Sequence, residues 1–104
     1  MFSNYNTINL SINGKQHRLW VADNDKKRHK GLSGVNYIPK NTGMIFTYKD
    51  SEPRDFSLKR CKFPIHVIFL NSNGDTIRSE MGMPNQNNLI SCNEDCKYVI
   101  EIPV

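Results

Sequence analysis

Two Asn-Gly dipeptides constrain this chain more than any other feature. Asn13-Gly14 and Asn73-Gly74 both sit between apolar segments. A tight hairpin connection needs positive φ at its centre, which Asn and Gly adopt at little cost. In "NTINLSINGKQHRLWVA", Ile8, Leu10 and Ile12 alternate with polar residues, and Leu19 and Val21 continue beyond the turn. That period of two predicts a hairpin with one buried face. Trp20 falls on the other face of the second strand, where a second apolar layer or a groove would cover it. The turn "NSNGD" joins "PIHVIFLN", an almost unbroken apolar run that suits a strand buried on both faces, to "TIRSEMGM".

The remaining segments follow the same logic. "GMIFTYK" and "RDFSLK" read as strands separated by a turn at "DSEP", and "YVIEIPV" as a terminal strand. "PNQNNLISCNEDCK" reads as a long polar loop. One helix is predicted over Asp25–Leu32, capped by Asp23 or Asp25 and ended by Gly31 or Gly34. Its cationic end has the sign that the helix dipole favours. With no internal repeat and no linker, residues 1–104 read as one domain. The expected fold is mainly β: an antiparallel barrel or sandwich of about seven strands with one short helix.

Composition then narrows the function classes. With 23% charged and 38% hydrophobic residues, the chain belongs with ordinary globular domains. A net charge of +4 is mildly basic. The acids are interspersed, so weak attraction to polyanions is expected but specific nucleic-acid binding is not. No segment has the ~20 apolar residues of a membrane helix, and no signal peptide opens the chain. These absences and an odd count of 3 cysteines point to the cytoplasm rather than to a disulfide framework.

Four constellations are chemical candidates. Cys92 and Cys96 form a C-x3-C pair, off the usual metal and redox spacing, and are weak metal candidates. A structural zinc would need two further ligands from Cys61, His66, His17 and His29. A disulfide is the alternative, and reduced thiols are the plain reading. Cys61 lies among Lys59, Arg60 and Lys62, which would favour a thiolate if the thiol were exposed. With His66 it makes a weak nucleophile–base candidate. His66, inside the apolar run, is either a neutral structural residue or a groove-facing contact. "KKRHK", Lys26–Lys30, is either a solvated helix face or a docking patch for an acidic partner or phosphate. No phosphate loop, hydrolase elbow or zincin motif occurs.

Taken together, the motifs resemble the DUF192 (UPF0127) family of small bacterial and archaeal proteins. "ADNDKKRHKGLSG" is similar to the family's AD-x-x-x-E-R-x-x-GLM, and "IPKNTGMIFTY" to its LP-x-x-x-GMLF-x-F. "RDFSLKRCKFPIHVIFLNSNGD" is similar to R-x-FWMKNT-x-IPLD, and "DCKYVIEIP" to the closing C-x-x-Y-VLE-x-P. The resemblance runs from about Ile8 onward. It implies a compact, barrel-like, mainly β fold and carries no established activity. Matching positions include Gly31, Leu32, Gly43, Met44, Phe46, Phe56, Lys59, Pro64, Phe69, Tyr98 and Glu101. Of these, Lys59 and Glu101 are the polar ones and could form an ion pair.

Where the family has Asn, Thr and Asp, this chain carries Arg60, Cys61 and His66. The exchange moves the local charge toward positive and suits an anion. The expectation is therefore a non-enzymatic binding module without a cofactor. Its groove would hold Phe56, Lys59, Arg60, His66 and Trp20, and would take a small anionic ligand or an acidic protein surface. The competing readings are an accessory component of an assembly and a small Cys/His enzyme.

Overall fold

The protein was analysed as a computed structural model that describes residues 2–104. Six strands and one short helix follow in the order β1 (Thr7–Ile12), β2 (Lys15–Ala22), α1 (Asp25–Lys30), β3 (Thr42–Phe56), β4 (Ile65–Leu70), β5 (Thr76–Gly82) and β6 (Ile90–Pro103). The strands form one sheet, ordered β1-β2-β3-β6-β4-β5, with free edges at β1 and β5. The fold is mainly β, as expected. It is a single open sheet, and one strand fewer than expected.

Both hairpins form where Asn-Gly predicts them. Asn13 and Gly14 take φ of 53° and 80° between the paired residues Ile12 and Lys15. In the second turn, Gly74 has φ of 85°, and the Asn71 side chain accepts from the Asn73 and Asp75 amides. The helix is capped by neither aspartate. Asn24 accepts from the Lys27 amide, and Gly31 ends the helix at φ 49°.

Two elements depart from the sequence-based expectation. β3 runs through "DSEP", and β6 runs through "SCNEDC". The β3–β6 ladder shifts register between Thr47 and Glu52 and again between Glu52 and Arg54. Pro53 falls within that irregular stretch, a place in a sheet that tolerates a missing donor. The strands therefore bend where polar residues suggested a turn and a loop. Ser57–Lys62 lies outside any strand. The sheet is also not wholly antiparallel, because β2 and β3 pair in parallel, Trp20 opposite Met44. That pairing needs a crossover, which α1 and the following loop supply.

Alternation along the central strands builds a core on each face. Met44, Phe46, Ile65, Val67, Phe69 and Val99 belong to the larger cluster, with Leu32, Phe56 and Leu58 packed over them. Leu19, Ile45, Leu70, Ile100 and Ile102 form the smaller one on the opposite face. Among the described residues, no helix is long and apolar enough to cross a membrane.

Candidate functional site

The larger face is not covered completely. Between α1 with its following turn and the Asp55–Cys61 segment lies a cavity of about 820 Å³. Two chain segments far apart in sequence line it. Lys26, Arg28, His29 and Lys30 come from α1, and Lys59 and Arg60 from the loop after β3. The Gly34 amide donates to the Arg60 carbonyl at 3.0 Å and ties the two sides together. Phe46, Tyr48 and Phe56 contribute aromatic walls, and Asp55, Cys61 and Glu101 also line the space.

Glu101 is the unusual group. Alternation along β6 points it to the same face as Val99, between cross-strand neighbours Met44 on β3 and Val67 on β4. Those neighbours are fully buried, and Glu101 itself is 3% exposed. Burial alone lifts its carboxyl from 4.5 to about 8, because a carboxylate loses hydration there. The ion pairs among the described residues are Lys27–Asp23, Arg28–Asp25, Arg54–Glu52 and Arg78–Glu80. The Lys59–Glu101 pair allowed by the sequence is thus not formed. No described residue donates a hydrogen bond to the Glu101 carboxyl, and its oxygens are not sealed off as unsatisfied buried atoms. They open into the cavity that the residue lines.

The rim is partly pre-positioned. Arg28 donates through Nη1 to the Thr47 carbonyl at 2.7 Å and through Nη2 to Asp25 Oδ1 at 2.8 Å. Its guanidinium lies 5.0 Å from the Tyr48 ring centroid, and that of Arg54 lies 3.6 Å from the same ring. Desolvation raises the Tyr48 hydroxyl against the pull of both arginines. Tyr48 therefore presents a neutral ring held by cations.

The sequence-predicted residues divide between locations. Phe56, Lys59, Arg60 and Cys61 share the cavity. His66 does not join them. It lines a separate cavity of about 350 Å³ with Leu10, Ile12, Ile68, Ile100 and Ile102 on the other face, beside Ser11, Thr76 and Ser79. The expected single groove, and the Cys61–His66 pair with it, is therefore not assembled. The physical reason is strand parity: on β4, Ile65 and Val67 face the large core, so His66 faces away. Trp20 packs beneath Phe2, ring centroids 4.5 Å apart, and does not line the 820 Å³ cavity.

The cysteines are buried. The Cys61 thiol is pushed up to about 12, by desolvation first and then by Glu101. That outweighs the flanking cations, so the low-pKa environment suggested by Lys59, Arg60 and Lys62 does not form. Cys92 and Cys96 are free and buried on β6, and Cys96 Sγ contacts the Glu94 carbonyl at 3.3 Å. Among the described residues, no three His, Cys, Asp or Glu side chains group as a metal site. From the sequence Glu101 is only a pairing partner for Lys59, and the α1 cations are a solvated face or a docking patch with no link to Lys59 and Arg60. A lone acid inside "YVIEIP", on the same strand face as Val99, was the signal for the first.

The DUF192 family model, described as an uncharacterised family, matches residues 8–104. The chain is a member of the DUF192 family. No curated protein matches it. Two solved structures share the DUF192 fold seen here. One, from Sinorhizobium meliloti 1021, is described as a "putative transcription regulator". It is 24% identical with a TM-score of 0.81, over 96% of this chain and 82% of that one. The other, a protein of unknown function from Novosphingobium aromaticivorans DSM 12444, is 17% identical with a TM-score of 0.81, over 93% and 71%. At these identities the likeness is one of fold.

Proposed function

We propose that this DUF192 protein is a binding module whose cavity between α1 and the Asp55–Cys61 segment takes a small anionic ligand. The observation that carries this reading is convergence. Cations from α1 (Lys26, Arg28 and Lys30) and from Lys59–Arg60, separate in sequence, line one cavity. Asp25 offsets Arg28, and the acids that line the space are Asp55 and a Glu101 held largely protonated at neutral pH, so Lys26, Lys30, Lys59 and Arg60 leave it net positive. A volume of about 820 Å³ suits a small molecule better than the flat face an acidic protein surface would need. Arg60 offers a planar fork to a phosphate or carboxylate, with Lys30 and Lys59 as point charges, while Arg28, held by Thr47 and Asp25, shapes the rim. Three free thiols are in keeping with a reducing, cytoplasmic setting.

Titration of isotope-labelled protein with inorganic phosphate, followed by NMR, tests this. Amide shifts should concentrate at residues 28–34 and 57–61, weaken as salt rises, and disappear in Lys59→Ala/Arg60→Ala. Shifts spread evenly over the surface, or none at all, overturn it.

A further inference from the structure

An anion site explains the rim of the cavity but not its floor. A binding pocket for a bare anion has no use for a carboxyl group. Yet β6 places Glu101 there, 3% exposed, between Met44 and Val67, with no ion pair or hydrogen bond from any described residue. The Glu101 oxygens open only into the cavity, so a ligand seated there is the group placed to take up their hydrogen bonds. We infer that Glu101 is the inner recognition group of the same cavity and hydrogen-bonds a hydroxyl of the bound anion, so that the ligand is a phosphorylated polyol or sugar. The inference rests on the anion-binding reading above.

Three observations narrow the class to a hydroxyl. At neutral pH the Glu101 carboxyl, lifted to about 8, is mostly protonated and can both donate and accept. A hydroxyl matches both roles, whereas an ammonium would demand the ionised form. Phe46, Phe56 and Tyr48 give the same cavity aromatic walls that suit the C–H face of a sugar or polyol. The cations lie in α1 and at Lys59–Arg60, on other elements than the strand that carries Glu101, so phosphate and hydroxyl would be held by separate groups of the one cavity.

Charge sets the pH behaviour. Facing Glu101 are the Cys61 thiol and the Tyr48 hydroxyl, both raised, with Met44 and Val67 apolar on either side. Asp55 at the end of β3, Lys59 and Arg60 in the following loop, and Lys26, Arg28, His29 and Lys30 on α1 line the same cavity. As pH rises through about 8, Glu101 ionises and adds a negative charge beneath an anionic ligand. Binding should then weaken. Because His29 also faces the cavity, the profile is best measured in a His29→Gln background.

Calorimetry with inorganic phosphate, glucose 6-phosphate and glucose tests the inference. A hydroxyl bond of ordinary strength predicts that glucose 6-phosphate binds roughly tenfold tighter than phosphate. Glu101→Leu should remove that advantage and leave phosphate affinity intact. Glu101→Gln, which keeps a donor and an acceptor, should retain much of it and lose the weakening between pH 7 and pH 9. If phosphate binds and glucose 6-phosphate gains nothing, or if Glu101→Leu keeps the preference, the hydroxyl role is wrong and the anion site stands. If neither phosphate compound binds, the anion site itself falls and this inference with it.

Discussion

The two faces of the sheet handle polar residues in opposite ways. On the α1 face, Glu101 sits in mid-sheet, buried and unpaired. On the other face the comparable intruder, His66, is only half-buried, at the lining of a small cavity shared by Ile68, Ile100 and Ile102 with Ser11, Thr76 and Ser79. Both lie one residue from a core position on a central strand, on β6 and β4 respectively. The difference is placement relative to open space. A half-exposed imidazole keeps contact with water and asks nothing of its neighbours. A carboxyl flanked by Met44 and Val67 has only the cavity to turn to. Burial without a partner marks a site more sharply than the presence of a titratable group in an apolar run.

The largest test of this contrast is Phe46→Ala. Phe46 is 1% exposed, packs edge-on to Phe56 at 4.9 Å and walls the cavity. Its removal should cost about 3–5 kcal/mol in chemical denaturation. It should also abolish phosphate binding, since the wall goes with the core.

Glu101→Gln should show a smaller, pH-shaped effect. The folded carboxyl sits near 8 against 4.5 for the unfolded chain, so the folded state holds its proton longer. Its contribution is intact below the unfolded value, declines as pH rises from there through about 8, and is flat beyond. The variant should match the parent near pH 4 and exceed it by a few kcal/mol at pH 9, read from urea midpoints. Equal curves at both pH values would mean that the carboxyl is better solvated than its burial implies. The smallest effect is expected on the opposite face. His66→Leu should change stability by less than about 1 kcal/mol and leave phosphate binding unaltered.

Much of the fold was legible from local chemistry. The Asn-Gly turns, the apolar run of β4 and the position of α1 all follow from it. What was not legible lies in β3 and β6. Residues Lys49–Pro53 are exposed, so no alternation betrays a strand there. The long-range ladder with β6 holds the segment extended instead, through register shifts that no local pattern encodes. The parallel β2–β3 pair had a signal in the strand–helix–strand order, overlooked beside the hairpin turns.

The candidate site was half legible. Phe56, Lys59, Arg60 and Cys61 do meet, because they are close in the chain. Their meeting with Lys26–Lys30 depends on the crossover, and Glu101 arrives from β6 at the far end of the sequence. His66 was misassigned to the groove because Pro64 interrupts the alternation by which its facing could have been counted.

β6 lies at the centre of the sheet, paired on one side to β3 and on the other to β4. Without it, β1-β2-β3 and β4-β5 are two fragments with no ladder between them. During synthesis, then, neither fragment has its permanent neighbour until residue 103 is clear of the ribosome. The inner edges of β3 and β4 have no ladder partner until β6 is in place. The same late event delivers Glu101 to the cavity, so a truncated or stalled chain lacks both a closed sheet and a finished binding pocket.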